Sequence, residues 1–234
     1  MVPLAAFKDL CVDAAEPRVP ARFWATALGV EASDTGRGGA VLRDDRAPTI
    51  WVNRVTESKL VKNRVHLDVY ADSPGDLLVL GARLVVDHGP WAVLADPEGN
   101  EFCVFPEMAG RGSGPPARVF ALCVDSAEPE ALATWWAAVI GGDVGPGSDG
   151  TPRWLHGAAG LGEITMKFVR VADARVVKNR WDWDVTTADV DALVAAGATV
   201  LRSRDDEIAW TVLADPQGNE FCAFVEPPDP NRGR

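Results

Sequence analysis

Two short segments of the first half combine residue types that bind metals and transfer protons. The segment VHLDV contains His66 and Asp68, and the segment NEFC contains Glu101 and Cys103. Because side chains alternate along a strand, the two residues of each segment are predicted to share a face. Imidazole, carboxylate and thiol groups suit either a divalent metal site or a nucleophilic pair of Cys103 or Cys11 with His66.

The same segments recur in the second half of the chain, with one difference. Three blocks repeat in order: LCVDAAEP and LCVDSAEP, VKNRVHLDV and VKNRWDWDV, LADPEGNEFC and LADPQGNEFC. Three ordered matches predict a tandem duplication. Asp184 repeats Asp68, but Asp182 stands where the first half has His66. The first half is therefore predicted to be the better functional candidate.

The duplication divides the chain into two predicted domains. We place the first domain at 1–108, a linker at 109–118, the second domain at 119–227 and a flexible tail at 228–234. The linker is rich in Gly, Pro and Ser, and the tail is polar and proline-rich, as loose segments are. Because both halves share one chain, we expect a monomer by internal duplication or a loose homodimer.

The composition argues against several classes of function. The chain has 23 Lys+Arg against 34 Asp+Glu, a net charge of −11, which disfavours binding to nucleic acid or anionic membranes. No segment has the length of an apolar membrane span and no signal-peptide pattern is present, so a cytoplasmic location is expected. The four cysteines form no CxxC pair, which disfavours a zinc ribbon and predicts free thiols.

The elements that must position these residues follow a repeated order. In the first half, strands are predicted at 7–12, 40–43, 49–55, 65–70, 82–86, 91–95 and 101–105, with a helix after 7–12 and another after 65–70. DPEGN, before the last strand, has the residues of a tight turn. The second half repeats this plan. The predicted fold class is α+β, with two β-α-β-β-β units in each half.

Paired units that end in a DPxGNxF turn and strand resemble the vicinal oxygen chelate superfamily. KNRVHLDV followed by LADPEGNEFC looks most like its glyoxalase-like domain group, related to the bleomycin resistance proteins. The superfamily also contains glyoxalase I, extradiol dioxygenases and fosfomycin-resistance enzymes. The resemblance covers both halves and implies four modules in two tandem domains, with pairs of units curled into cups around a ligand. It does not specify the function, because one fold hosts many chemistries.

The resemblance further implies a divalent metal held by His, Glu or Gln on cup-facing strand positions. The opening strand lacks the His in both halves, whereas the second unit supplies His66 in the first half and Asp182 in the second. The Glu of the last strand is replaced by Cys103 and Cys222, but Glu101 lies two residues before Cys103 on the same predicted face. The expected cofactor is therefore either none or, if the protein is an enzyme, a divalent metal (Zn, Ni, Mn or Fe), with His66 and Glu101 as the predicted catalytic residues and metal ligands.

Neither half shows a full ligand set. The best set of cup-facing residues is in the first half: Asp9, Cys11, His66, Asp68, Glu101 and Cys103. A buried carboxylate needs a partner, and Arg64 and Arg180 of the KNR blocks are candidate partners for Asp68 and Asp184.

Tryptophans are a second group of candidate ligand-binding residues. Trp51, Trp91 and Trp210 are predicted to line an apolar cup, whereas Trp181 and Trp183 alternate onto the helix-facing side and into the core. The predicted ligand-binding residues are Trp51, Asp68, Trp91, Cys103, Asp182, Asp184 and Trp210.

Three functions follow from these features. The first is a protein that binds a small apolar or aromatic molecule in a cup without a full metal-ligand set. The second is a metal-dependent lyase, isomerase or dioxygenase with one active half centred on His66. The third is a non-catalytic regulatory module. The incomplete ligand set and the tryptophans favour the first.

Overall fold

The structure of the protein is a computed structural model that describes residues 2–44, 47–107 and 114–226. Part of the predicted linker, 109–113, and the whole predicted tail at 228–234 lie outside the described residues. Within the described part of the chain, no helix is long and apolar enough to cross a membrane.

The chain forms four units, each a strand, a helix and three further strands, as predicted. Unit 1 contains β1 (Ala5–Ala14), α1 (Arg18–Leu28), β2 (Glu31–Asp34), β3 (Ala40–Asp44) and β4 (Ala47–Arg54). Unit 2 contains β5 (Val65–Ala71), α2 (Pro74–Val79), β6 (Arg83–Asp87), β7 (Ala92–Ala95) and β8 (Glu101–Pro106). Unit 3 contains β9 (Ala117–Ser126), α3 (Pro129–Ile140), β10 (Asp143–Pro146), β11 (Pro152–His156) and β12 (Thr165–Arg170). Unit 4 contains β13 (Trp181–Thr187), α4 (Val190–Ala195), β14 (Thr199–Arg202), β15 (Thr211–Ala214) and β16 (Glu220–Val225).

The units pair across the two halves of the sequence. Units 1 and 4 form sheet A, with the strand order β14-β15-β16-β13-β1-β4-β3-β2. Units 2 and 3 form sheet B, with the order β10-β11-β12-β9-β5-β8-β7-β6. Each half of the duplication therefore contributes one unit to each sheet. The two units of one half, although adjacent in the sequence, belong to different sheets.

Alternation along the central strands separates a core face from an open face. Leu10 and Val12 of β1 are buried in the hydrophobic core, and Trp183 of β13 packs edge-on against Trp136 of α3 with ring centroids 5.2 Å apart. Asp9, which precedes Leu10, and Cys11, which stands between Leu10 and Val12, lie on the opposite face. We call the faces away from the helices cup A, on sheet A, and cup B, on sheet B.

The two sheets share one hydrophobic core. Trp24 of α1 contacts Trp181 of sheet A, with ring centroids 6.0 Å apart, and Phe102 of sheet B, with ring centroids 4.9 Å apart. The burial of Trp181 and Trp183 confirms their predicted place in the core. Because helices of both halves pack between the sheets, the two cups open on opposite sides of this core.

The repeated sequence blocks form a matched hydrogen-bond network in each half. The indole Nε1 of Trp24 donates to Asp96 Oδ2 across 3.2 Å, and Asp96 Oδ1 accepts the backbone N–H of Asn100 across 2.9 Å. Asn100 Oδ1 in turn accepts from Asn63 Nδ2 across 3.0 Å. The second copy of the network contains Trp136, Asp215, Asn219 and Asn179. These residues recur because they hold the turn, the helix and the loop before each central strand together.

The remaining repeated charges join the paired units. Lys62 of the first KNR block pairs with Asp125 at the end of β9 across 2.6 Å, and Lys178 pairs with Asp13 at the end of β1 across 2.5 Å. Both aspartates are buried. The KNR block of each half therefore forms an ion pair with the LCVD block of the other half. The same pairing of units builds sheets A and B.

Candidate functional site

Three cup B side chains from three neighbouring strands surround the imidazole of His66. His66 and Asp68 alternate on β5, and register places His66 opposite Cys123 of β9 and Asp68 beside Cys103 of β8. His66 Nε2 lies 3.4 Å from Cys103 Sγ and 3.5 Å from Asp68 Oδ1. Alternation buries Leu67, between His66 and Asp68, in the core. The predicted pairing of Cys103 with His66 is therefore present, whereas Cys11 lies on the other sheet.

We call the group of His66, Asp68, Cys103 and Cys123 the floor of cup B, and a lysine from β12 completes it. Lys167 stands beside Cys123 in the register of β12 and β9, and its Nζ donates to Asp68 Oδ2 across 3.0 Å. Only 11% of the Lys167 side chain and 4% of the Asp68 side chain are exposed, so the ion pair is held away from bulk water. Burial raises the pKa of Asp68, but hydrogen bonding and charge from His66 and Lys167 outweigh burial and lower this pKa. Asp68 is therefore ionised at neutral pH.

The thiols of the floor are held neutral. Burial and the nearby charge of Asp68 raise the pKa of Cys103 and of Cys123 far above the usual range of a thiol. A nucleophilic cysteine needs the thiolate form. Although Cys103 touches His66, its electrostatic surroundings oppose nucleophilic catalysis, and the pair contributes packing and polarity to the floor.

Aromatic side chains form a wall above the polar floor of cup B. Trp91 stacks on Phe105 with ring centroids 5.5 Å apart, and Phe105 meets Phe120 edge-on at 5.5 Å. Phe120 stacks on Tyr70 at 3.9 Å, and Trp154 stands on the far side of the floor. All five rings are half-buried, which is the state of an apolar surface that a ligand can cover.

A β-bulge places Phe120 in this wall. Strands β5 and β9 pair Asp68 with Ala121 and then Val69 with Val119, so Phe120 is an extra residue with no partner. The same bulge in sheet A lies between Phe7 and Asp9 and leaves Lys8 as the extra residue. A bulge re-aims a side chain locally, and here it gives cup B an aromatic ring where cup A has an ammonium group.

Three buried polar atoms of cup B are incompletely satisfied. His66 Nδ1 and Trp154 Nε1 have no hydrogen bond within the described part of the protein, and Asp68 Oδ1 has only the long contact with His66 Nε2 across 3.5 Å. An unpaired buried polar atom costs about 1–3 kcal/mol. A ligand that hydrogen-bonds these atoms would recover that cost.

Cup A has a different chemistry on the same scaffold. Asp182 and Asp184 of β13 occupy the positions of His66 and Asp68, and Cys11 and Cys222 match Cys123 and Cys103. Asp9 lies directly opposite Asp184. The lysine position of β12 is taken on β4 by Trp51, whose Nε1 donates to Asp9 Oδ2 across 3.0 Å.

Two carboxyl groups of cup A, those of Asp182 and Asp184, have raised pKa values. Burial, aided by the charges of Asp13 and Asp184, raises the pKa of Asp182 to about 8 against the attraction of Lys178. Burial and Asp9 raise the pKa of Asp184 to about 6, opposed by Lys8. At neutral pH most Asp182 side chains therefore carry a proton.

The predicted site residues are divided between the two cups. His66, Asp68, Cys103 and Trp91 belong to cup B, while Asp9, Cys11, Trp51, Asp182, Asp184 and Trp210 belong to cup A. The single set predicted for the first half combined residues of both sheets, and the structure separates them because the units pair across the halves. Arg64 and Arg180 are not the partners of Asp68 and Asp184: Arg64 Nη1 donates to the Asp173 carbonyl across 2.7 Å, and Arg180 Nη1 donates to the Glu57 carbonyl across 2.7 Å.

Glu101, predicted as a catalytic and metal-binding residue, is bound to the KNR loop. Its Oε1 accepts from Lys59 Nζ across 2.9 Å and its Oε2 accepts the backbone N–H of Asn63 across 3.1 Å. Glu220, its repeat counterpart, pairs with Arg175 and accepts the backbone N–H of Asn179. Both glutamates therefore hold the loops before the central strands in the same way.

Several site residues lack a clear signal in the sequence. Lys167 belongs to the second half of the sequence, and only the pairing of units 2 and 3 brings it to Asp68. Phe120 faces the cup because of the bulge, and a bulge has no sequence signature here. Phe105 and Tyr70 follow the alternation of Cys103 and Asp68, so strand periodicity alone could have identified them.

The residues of cup B fit a divalent metal poorly. Ligand atoms of His66, Asp68 and Cys123 lie within 4.8 Å of one another, and Glu101 is not part of this group. However, Lys167 places a positive charge 3.0 Å from Asp68, where it repels a second cation. Cys123 has a raised pKa, and a thiol must lose its proton to bind a metal.

Comparison with known proteins matches this architecture. The profile of the family described as "Glyoxalase-like domain" matches residues 9–105 and 121–224. Glyoxalase I from Zea mays superposes with a TM-score of 0.65 at 13% identity, covering 94% of this chain and 92% of that chain. The cppA protein from Streptococcus pneumoniae superposes with a TM-score of 0.52 at 11% identity, covering 94% of this chain and 99% of that chain. No curated protein has a significantly similar sequence.

The family profile covers most of the chain in two copies, one in each half of the duplication. The structural similarity, at low identity, shows the fold alone. The two eight-stranded sheets and four β-α-β-β-β units agree with it. The protein therefore belongs to the glyoxalase-like domain family of the vicinal oxygen chelate superfamily, as a tandem duplication.

Proposed function

We propose that the protein binds a small aromatic molecule in cup B and does so without a resident metal ion. The observation that carries this proposal is the wall of half-buried rings around Lys167. The Lys167 ammonium lies 4.2 Å from the ring centroid of Phe120, 4.8 Å from that of Trp154 and 5.3 Å from that of Phe105. The ligand is the expected partner of the protein, and no nucleic acid or membrane is needed.

Apolar burial supplies the main driving force in this proposal. Rings that are half exposed in the free protein lose water contact when a flat molecule covers them, at roughly 25 cal/mol for each Å² of apolar surface. Offset and edge-on aromatic contacts add about 0.5–1.5 kcal/mol for each pair. Trp91, Phe105 and Phe120 already adopt such contacts with one another, so little side-chain freedom remains to be lost on binding.

The polar floor restricts the class of molecule. His66 Nδ1 is buried without a hydrogen-bond partner, Asp68 Oδ1 has only a long contact with His66 Nε2, and both residues share the cup face of β5 with Tyr70. An aromatic molecule with a hydroxyl group can donate to Asp68 Oδ1 or form a hydrogen bond with His66 Nδ1, because a hydroxyl both donates and accepts, whereas a plain hydrocarbon can do neither. We therefore infer that aromatic alcohols and phenols bind more tightly than hydrocarbons of equal size.

The test is a fluorine NMR titration with fluorophenol, fluoronaphthol and fluorotoluene in the presence of a chelator. We expect the fluoronaphthol signal to broaden and shift with wild-type protein and the effect to fall at least tenfold with Phe105→Ala. Phe224→Ala is the matched control, because Phe224 occupies the position of Phe105 in cup A. Equal loss of binding in both variants, or no binding of any probe, would overturn the proposal.

The metal-dependent enzyme remains a second candidate because His66, Asp68 and Cys123 converge. Metal analysis of protein purified without a His tag separates the two functions. A stoichiometric metal that is lost in His66→Ala would support the enzyme. Absence of metal, together with fluoronaphthol binding, would support the binding protein.

A further inference from the structure

Cup A contains more acidic than basic groups. Asp9, Asp182 and Asp184 share its face, and all three are buried. Lys8 pairs with Asp9 and acts on Asp184, while Lys178 acts on Asp182 but is paired with Asp13. In cup B, by contrast, one carboxylate, Asp68, faces one ammonium.

The side chain of Asp182 is incompletely satisfied. Asp182 is 7% exposed, and its Oδ1 is buried without a hydrogen-bond partner in the described part of the chain. Its neighbours Trp181 and Trp183 pack toward the helices, so alternation directs Asp182 to the cup face, opposite Cys11. A buried carboxylate oxygen without a donor calls for a positively charged or hydrogen-donating partner.

The surroundings of Asp182 favour an organic cation over a metal ion. Among the residues that the structure describes, the side chains close enough to share one ion are His66, Asp68 and Cys123, none of which belongs to cup A. Cup A instead already places an ammonium on an aromatic ring, because Lys8 Nζ lies 4.8 Å from the ring centroid of Phe224. An aromatic face beside a carboxylate is the usual surrounding of a bound ammonium.

From this geometry we infer that cup A is a second binding site, selective for a small organic ammonium ion. The ammonium group contacts Asp182 and Asp184, and its hydrocarbon part lies against Trp51 and Phe224. The chain then carries two cups of one fold with different ligand classes, an aromatic alcohol in cup B and an amine in cup A. This inference does not depend on the function of cup B.

Binding of a cation by cup A must be linked to proton release. Asp182 carries a proton at neutral pH because its pKa is raised to about 8. An ammonium that pairs with its carboxylate favours loss of that proton, so affinity rises with pH. The charged and titratable groups around Asp182 are Asp184 on its own strand, Asp9, Cys11 and Asp13 on β1, Cys222 on β16, and Lys8 and Lys178.

The experiment compares fluorobenzylammonium with fluorobenzyl alcohol, its neutral counterpart, by fluorine NMR titration of the whole protein at pH 6 and pH 8. We expect the ammonium to bind at least tenfold more tightly than the alcohol at pH 8. We expect its affinity to rise at least tenfold from pH 6 to pH 8. The Trp51 indole N–H signal, assigned with Trp51→Phe, should shift on binding because this group donates to Asp9 at the site.

Variants locate the site. Asp182→Asn should weaken ammonium binding at least tenfold, while Asp206→Asn, which removes an exposed charge, should leave it unchanged. Asp184→Asn serves as the second variant if Asp182→Asn does not fold. Equal affinity for the ammonium and the alcohol in the wild-type protein would overturn the inference, and so would equal ammonium affinity in the wild-type protein and the folded Asp182 or Asp184 variants.

Discussion

Lys167 donates a hydrogen bond to Asp68 across 3.0 Å, at the strand position where the other cup has Trp51. This exchange is one of the differences that separate the chemistry of the two cups, together with Asp182 at the position of His66. In cup B a permanent positive charge neutralises the carboxylate and repels a metal ion. In cup A the indole of Trp51 leaves a surplus of acidic groups.

Removing the lysine should destabilise the protein. Lys167→Met leaves Asp68 ionised and without its cation, and loss of one partner of a buried ion pair costs about 3–5 kcal/mol. We expect a decrease in the free energy of unfolding of at least 2 kcal/mol, measured by urea denaturation, because His66 retains part of the interaction. The double variant Lys167→Met/Asp68→Asn should recover most of that loss. A Lys167→Met protein as stable as the wild type would contradict the assigned ion pair.

The carboxyl group of Asp182 should make stability depend on pH. Its pKa is raised from 3.8 unfolded to about 8 in the folded protein, so the folded state holds this proton more tightly. The destabilisation that this group causes is absent below pH 4, grows between pH 4 and pH 8 by about 1.4 kcal/mol for each pH unit, and is constant above pH 8. Asp182→Asn should therefore be more stable than the wild type at pH 9 by a few kcal/mol.

Urea denaturation of both proteins from pH 4 to pH 9 checks this prediction. The difference between Asp182→Asn and the wild type should increase in favour of the variant as the pH rises. A difference that does not change with pH would show that Asp182 titrates in its ordinary range.

The indole N–H groups of the two repeated tryptophans should contribute equally to stability. Trp24→Phe and Trp136→Phe each remove a donor to a buried aspartate, Asp96 or Asp215. Asp96 Oδ2 and Asp215 Oδ2 each keep an asparagine Nδ2 as a donor, so each variant loses one buried hydrogen bond. We expect the free energy of unfolding to decrease by about 1–2 kcal/mol in each variant. Trp135→Phe is the control, because its indole donates to a backbone carbonyl at the surface. A loss in the control as large as in the other two would refute the network's role.

The cysteines of the cups should react slowly. Burial raises the pKa of Cys103 and Cys222 far above the usual range, so almost no thiolate exists at pH 8. Mass spectrometry after treatment of the native protein with iodoacetamide should find neither residue modified, while both are modified in urea. Rapid modification of Cys103 in the native protein would contradict this prediction and support a nucleophilic pair of Cys103 with His66.

Much of the fold was predictable from the sequence because it rests on local signals. The DPxGN turns, the strand alternation and the repeated blocks predicted four units of the observed order. The pairing of units 1 and 4 was not predictable, since both halves carry the same blocks: Lys62 could have met Asp13 as well as Asp125. Which of these pairs forms depends on how the whole chain packs around Trp24 and Trp136.

The candidate site was predictable only in part for the same reason. His66, Asp68 and Cys103 were identified by type and alternation, and they do meet in cup B. Lys167 comes from the other half of the sequence, and Phe120 enters through a bulge. Neither residue could be placed near Asp68 without the register of β5, β9 and β12.

The central claim is that cup B binds an aromatic molecule without a metal. The measurement that tests it most directly is the affinity of fluoronaphthol, by fluorine NMR in the presence of a chelator, for the wild-type, Phe105→Ala and Phe224→Ala proteins. The account predicts binding to the wild type and to Phe224→Ala and at least tenfold weaker binding to Phe105→Ala. Binding that appears only when a divalent metal replaces the chelator would contradict it.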